Sequence, residues 1–401
     1  MLERGKLKAL YRRWGGGTAA FFAYTHASHD LCSGLLPALL PLVKISLGIT
    51  YLQSGLLLSA YAITAGISQF PGGWLGDRLR RSIVVAVGMG GVGLLAVGIG
   101  FSPSYYPMLV LLVIMGLFAG LYHPSAVSMI SNCYEEEGRG KAIAIHNVGG
   151  SIGYALGPIV GGVIAEALRW NFAYIILGIV TVIAAPLVIR KFRHQEPVGY
   201  VAAAGNDSQA AVRRISLRTV LISVAPVITL FILLEFISGS ALGFVTLYMM
   251  DKHGIAAAYA TMLVAAIRGG GIAGSLIGGW LSDRWGRNNA AVFALLATGP
   301  ILYLLTSLPF NAGLIVVLIA FGLFMYMRQA TMQALLIDKT PAYLRATIFG
   351  IYFGLSMEGQ SLLQPVAGHF MDVFGIIDVF YVMAIISVAL SVVSLALLRR
   401  R

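Results

Sequence analysis

Charge is scarce in this chain of 401 residues. Asp, Glu, Lys and Arg together make up 11%, against roughly a quarter in soluble domains. Too few polar groups remain to coat a water-facing surface, which excludes a soluble globular domain. Cysteine is scarcer still: Cys32 lies in an apolar run and Cys133 in a polar stretch, and this pair builds no disulfide framework. No G-x-x-x-x-G-K-S/T run occurs, which excludes ATP hydrolysis at a Walker-type loop. No His/Cys group has zinc spacing and no serine sits in a nucleophile-elbow turn, so no metal, cofactor or enzymatic residue is assigned. The alternating segments of about ten residues that build a membrane barrel are missing as well.

Apolar sequence is what the chain has in abundance, with 58% hydrophobic residues and a mean hydropathy of +0.84. Backbone groups in lipid must pair internally, which leaves helices, and a spanning helix needs about 20 apolar residues. Such runs fall at 17–45, 54–76, 83–101, 105–130, 141–167, 170–190, 217–250, 257–282, 289–308, 311–338, 342–370 and 374–398. The expected fold is an all-α membrane protein of twelve transmembrane helices, and the 48 glycines suit close helix packing. The longest polar connection divides the chain into a six-helix half at 1–190, a cytoplasmic linker at 191–216 and a second six-helix half at 217–401. The apolar run after the basic N-terminus is too long for a signal-peptide core and lacks a small-residue cleavage site, so it reads as a retained first span.

The net charge of +12 invites a nucleic-acid reading, and its placement removes that reading. With the N-terminus inside, 23 Lys and Arg fall on the cytoplasmic side and 3 (Lys44, Arg169 and Lys252) on the outer side. That is the positive-inside pattern. A multi-pass protein of the cytoplasmic (inner) cell membrane is expected, with both termini cytoplasmic, working as a monomer and binding no nucleic acid.

Gly72-Gly73-Trp74-Leu75-Gly76-Asp77-Arg78-Leu79-Arg80-Arg81 recurs as Gly278-Gly279-Trp280-Leu281-Ser282-Asp283-Arg284-Trp285-Gly286-Arg287, a shift of 206 residues (278 − 72). Two homologous halves follow, each with this loop after its second span. Twelve spans in two halves, a basic central stretch and a repeated G-x-L-x-D-R-x-x-R loop resemble the major facilitator superfamily over essentially the whole chain. The resemblance implies the major facilitator fold of two pseudo-symmetric six-helix halves. It also implies a transporter that alternates between inward- and outward-open states around a site near the midplane. It makes Gly73, Asp77, Arg78, Arg81, Gly279, Asp283, Arg284 and Arg287 a conformational gate, with each aspartate suited to a facing helix N-terminus. In the first copy Arg80 stands where the family has glycine, the residue that tolerates positive φ.

Two narrower resemblances follow. Gly153-Tyr154-Ala155-Leu156-Gly157-Pro158-Ile159-Val160-Gly161-Gly162 resembles the G-x-x-x-G-P-x-x-G-G segment of drug and proton antiporters. It implies export, while the physical reading of Gly153, Gly157, Pro158, Gly161 and Gly162 is close helix packing around a proline bend; both readings stand at this point. His26-Ala27-Ser28-His29-Asp30, followed by Leu35-Leu36-Pro37-Ala38-Leu39-Leu40-Pro41-Leu42, is similar to the first span of fosmidomycin-resistance-type exporters, as is Tyr122-His123-Pro124 to their fourth. Those exporters have asparagine where His29 stands.

Charged side chains at the bilayer centre cost at least about 2.5–3.5 kcal/mol, so ionisable residues within spans are the functional candidates. His26 and Asp30 are four apart and share a helix face. At ~1.5 Å per residue His26 lies about 13 Å, and His123 about 10 Å, from the inner ends of their spans. The resemblance places both spans on the central cavity. Asp30, His26 and His123 are therefore expected to couple protons, together with Glu235 and Glu358; the alternative is an Asp–His pair that only fastens two helices. In the second half Glu235 and Glu358 balance Arg268 and Arg328. Either both arginines are occupied by glutamates or one is free to clasp an anion with its planar fork. Arg268 and Arg328, with His29, Tyr122 and Gln360, are expected to contact substrate. His146 and His369, near span ends, read as interfacial.

The function expected is secondary active transport without a cofactor, with a proton gradient as driving force and a small anionic or amphiphilic drug-like compound exported. Its partners are the small-molecule substrate, protons and the lipid bilayer. Proton-coupled uptake of an organic acid or other small metabolite is the alternative, and a non-transporting membrane sensor or scaffold a distant third.

Overall fold

The computed structural model describes residues 16–134, 136–192, 217–339 and 359–398. Glu358 and the linker from 193 onward lie outside them, as do the side chains of Asp77 and Gln360. The helices are α1 (Gly16–Ser33), α2 (Leu35–Leu47), α3 (Tyr51–Arg78), α4 (Arg81–Gly100), α5 (Tyr105–Cys133), α6 (Glu136–Ala167), α7 (Trp170–Phe192), α8 (Leu217–His253), α9 (Ala257–Trp285), α10 (Arg287–Ser307) and α11 (Ala312–Lys339). A 3₁₀ turn (Gly359–Leu363), α12 (Gln364–Phe374) and α13 (Ile376–Leu398) complete the order. With α1 and α2 taken as one span, and the 3₁₀ turn joined to α12, this is the expected twelve-helix, all-α membrane fold. Among the described residues ten helices are long and apolar enough to cross a membrane.

The first span differs from the single run expected at 17–45: it breaks at Gly34. Pro37 has no N–H for the Ser33 carbonyl, and its ring crowds that carbonyl. The ladder therefore lapses just after the turn in which Gly34 N–H still donates to Asp30 O at 3.1 Å.

The chain forms two compact units, Met1–Ile49 with Ala60–Val201 and Thr50–Ser59 with Ala202–Arg401. In the first, α1 packs on α6, α3 on α5 and α4 on α7; in the second, α9 packs on α11 and α10 on α13. Glycines permit each approach, and three recur under the shift of 206: Gly72 and Gly278, Gly93 and Gly299, Gly116 and Gly322. A Cβ on Gly93 would sit 2.7 Å from Gly178 O, and one on Gly299 2.6 Å from Ser387 O. The repeat thus extends from the loop into the helix contacts. Outward faces carry bare apolar side chains, such as Phe70 and Leu276, as lipid contact requires. The start of α3 belongs to the second unit, where Tyr51 N–H and Leu52 N–H donate to the two Asp372 carboxylate oxygens at 2.9 Å each. Tyr51 O–H donates to Asp251. Asp372 thereby satisfies N–H groups that a helix start leaves without intrahelical partners.

The two loop copies differ where their sequences differ. Arg80 precedes α4 at φ −62°, ψ 120°, ordinary extended backbone, while Gly286 precedes α10 at φ +87°, ψ 145°. The first copy has no need of the glycine. Gly286→Ala is expected to destabilise the protein by about 1–3 kcal/mol, and Arg80→Gly by under about 1 kcal/mol, read as thermal unfolding of the purified variants.

Candidate functional site

Four of the seven histidines meet in the first unit, around one carboxylate. Helical spacing sets this up: His26, His29 and Asp30 lie within four residues on α1, so one turn presents all three. Asp30 is buried and holds both histidines, His29 Nδ1 at 2.7 Å from Oδ1 and His26 Nε2 at 3.2 Å from Oδ2. His26 Nδ1 lies 2.8 Å from the His146 carbonyl, and His146 Nδ1 lies 3.2 Å from the Phe22 carbonyl. A carbonyl only accepts, so each of these Nδ1 atoms carries a proton. The 3.2 Å approach of His26 Nε2 to Asp30 Oδ2 offers a seat to one further proton, on the imidazole or on the carboxyl. The rings are layered: His26 stacks on His146 with centroids 4.1 Å apart, His29 stacks on Tyr122 at 4.6 Å, and His123 stands edge-on to both His26 and His29 at 5.2 Å. Tyr122 O–H reaches Thr25 Oγ1 at 3.0 Å, and Thr25 donates to Phe22 O at 3.0 Å. Tyr122 is fully buried beneath His29.

His146 corrects an expectation. It is not interfacial but buried, with its ring and its own carbonyl both against His26. The sequence held one signal for this: Gly149, Gly153, Gly157 and Gly161 recur every four residues, which carries the α1–α6 contact past the antiporter-like motif to His146. A Cβ at Gly153, Gly157 or Gly161 would collide with Ala27, Leu31 or Leu35, and one at Gly149 with Ala23. Pro158 and Gly162 are buried on the same helix. Gly150 has a more local use. A Cβ there would lie 2.6 Å from His26 Nε2 and 2.8 Å from Asp30 Oδ2, so only glycine leaves the pair its space. Gly150→Ala is expected to cost about 1–3 kcal/mol through overpacking, whereas Gly73→Ala, whose Cβ would meet only Pro124 at 3.9 Å, leaves the melting temperature unchanged.

In the second unit Arg328 and Glu235 form a fully buried ion pair, Nη2 to Oε2, at 2.5 Å. Gln329 Nε2 donates to the other carboxylate oxygen at 2.7 Å, and Arg328 Nη1 to Ser238 Oγ at 3.3 Å. Of the two choices open for this arginine, occupation by a glutamate is the one realised. Arg268 donates to the Tyr326 hydroxyl. Ser238, Gln329 and Tyr326 were not singled out by sequence, because nothing in their spacing links them to a charge more than 50 residues away.

The residues expected to form the gate lie at or near helix ends. Arg78 stacks over Trp74 at 3.9 Å, and Arg284 over Trp280 at 5.4 Å, the same pairing in both repeats. Arg287 at the start of α10 donates to Asp283 at 2.6 Å across the Gly286 break, and Arg81 opens α4. The tight helix contacts fall on Gly72 and Gly278, while Gly279 has open space where a Cβ would go.

The candidate metal ligands are His26, Asp30 and His123, whose ligand atoms all lie within 4.8 Å of one another.

Comparison with known proteins agrees with this architecture. The fosmidomycin resistance protein of Escherichia coli (strain K12) is 23% identical over 88% of this chain and 87% of its own length. A multi-drug resistance efflux pump PmrA homolog of Lactococcus lactis is 27% identical over 75% and 74%, and the membrane sensor protein UhpC of Escherichia coli 24% over 77% and 74%. Among solved structures, a POT family transporter in complex with 5-aminolevulinic acid superposes with a TM-score of 0.79 at 10% identity, covering 96% of both chains. A bacterial homolog to the human lysosomal transporter Spinster, inward-facing and occupied, gives 0.77 at 14% identity over 94% of this chain and 96% of that one. Family and structural neighbours are transporters, not enzymes. With the Major Facilitator Superfamily model matching residues 20–363 and 229–401, the chain belongs to that superfamily.

Proposed function

We propose that this transporter exports a small anionic or amphiphilic compound in exchange for protons, and that the α1 cluster is where the protons load. The observation that carries the reading is the buried Asp30 carboxylate held by His26 and His29, with His123 and His146 against them. Ionisable groups buried in a spanning helix are costly and are retained for function, and this group offers a proton two alternative seats, His26 Nε2 and Asp30 Oδ2. The Glu235–Arg328 pair supplies the second element. Neutralising Glu235 frees the Arg328 fork for an anion, which links proton to substrate. The names of two relatives, one for fosmidomycin resistance and one for multi-drug efflux, favour export over uptake.

The count of 23 inner against 3 outer Lys and Arg supports cytoplasmic termini in the cell membrane, with both gate loops on that face. The domain division at 191–216 and a monomeric state belong to the same proposal. The halves alternate access around the midplane, with Glu358 and Gln360 assigned to the cavity and the loop aspartates Asp77 and Asp283 to the gate. Likeness to UhpC favours a second reading, a membrane sensor. One experiment separates the two: a drug-sensitive host is challenged with a panel of toxic anions, fosmidomycin among them, with and without this gene. An exporter raises tolerance to at least one compound and lowers its accumulation. A sensor changes neither.

A further inference from the structure

We infer that the α1 cluster is a binding site for a divalent transition-metal ion of the Zn²⁺ and Co²⁺ type, with His26 Nε2, Asp30 Oδ2 and a His123 ring nitrogen as ligands. Nothing in the linear sequence marks it, because two ligands come from α1 and the third from α5. The structure brings their donor atoms within 4.8 Å of one another, close enough for side-chain rotation to reach the ~2.0–2.2 Å bonds such ions make. His26 and Asp30 are buried and His123 is half-buried.

The surroundings argue for a built site rather than a chance meeting of three side chains. A ligating histidine characteristically donates its other ring N–H to a carbonyl, and a ligating carboxylate is itself hydrogen-bonded. His26 Nδ1 donates to the His146 carbonyl at 2.8 Å, which fixes the ring with Nε2 inward. His29 Nδ1 holds Asp30 Oδ1 at 2.7 Å, which turns Oδ2 toward the site. Gly150 lets α6 pass close to Nε2 and Oδ2, since a Cβ there would lie 2.6 and 2.8 Å from them and crowd both donor atoms. Three protein ligands, one fewer than the four that close a structural site, are the pattern of an exchangeable one. Two imidazoles and one carboxylate select Zn²⁺, Co²⁺, Ni²⁺ or Cu²⁺ over Mg²⁺ and Ca²⁺, which take oxygen ligands.

The test is a Co²⁺ titration of the purified, untagged full chain in detergent, followed by the visible absorption of four-coordinate cobalt. It uses no gradient and no transported compound, so its outcome is independent of whether protons drive transport. The expected result is saturation at a single ion per chain, displaced by Zn²⁺ and not by excess Mg²⁺. His26→Gln and His123→Gln lose the absorption, and His29→Asn binds about 10–100-fold more weakly. Because His123 is only half-buried, His123→Gln is the variant to compare at unchanged melting temperature. Wild type without the cobalt bands, bands undiminished in a folded His123→Gln, or displacement by Mg²⁺ would each overturn the assignment.

Discussion

Glu235→Gln leaves the Arg328 guanidinium buried without a counter-charge, and the expected result is a loss of about 3–5 kcal/mol in unfolding free energy. Both groups are fully buried, and the carboxylate also accepts from Gln329 at 2.7 Å, so neither solvent nor, among the described residues, a second carboxylate takes over. The pair itself need not be a net source of stability, because desolvating two charges costs nearly as much as their attraction returns. The double replacement Glu235→Leu with Arg328→Met is therefore expected to recover most of the loss. Chemical or thermal unfolding of the two single variants and the double variant reads this directly. If Glu235→Gln melts like wild type, the arginine has another buried counter-charge and its proposed release by a proton is wrong.

Asp30→Asn is expected to abolish export while leaving the fold in place. Asparagine has the same shape, and its carbonyl and amide can still face His29 and His26. What it cannot do is take and give a proton at the 3.2 Å contact between His26 Nε2 and Asp30 Oδ2. Resistance conferred by wild type should fall to the level of the empty host, with membrane expression and melting temperature retained. Asp30→Ala is the contrasting variant. It strips two buried imidazole nitrogens of their partner, at about 1–3 kcal/mol each, and is expected to lose stability as well as transport. Full resistance with Asp30→Asn would make the cluster a fastening between α1 and α6.

Much of the fold was legible because membrane helices announce themselves by length and hydropathy, and because the 206-residue repeat ties one half to the other. The break at Gly34 was less visible, although Pro37 carries its cause. Within the site, His26 and Asp30 could be placed together from spacing alone, since one helix holds both. His123 followed from depth. His146 did not: its distance from a span end suggested an interface, and only the three-dimensional crossing of α1 and α6 turns it inward against His26. The same limit applied to the arginines. Charge balance shows that two Glu can serve two Arg, but the assignment of Glu235 to Arg328 depends on how α8 and α11 approach, 93 residues apart in sequence. The Arg80 and Gly286 difference, by contrast, was readable in kind, because φ alone decides it.

In the proposed cycle protons move through the α1 cluster in exchange for substrate. The most direct measurement uses purified protein in liposomes loaded with a compound selected by the resistance panel and with a pH-sensitive dye. On dilution into compound-free buffer, protons are expected to move opposite to the departing compound in wild type, and not in Asp30→Asn. Departure of the compound through wild type with no accompanying change in pH would contradict it.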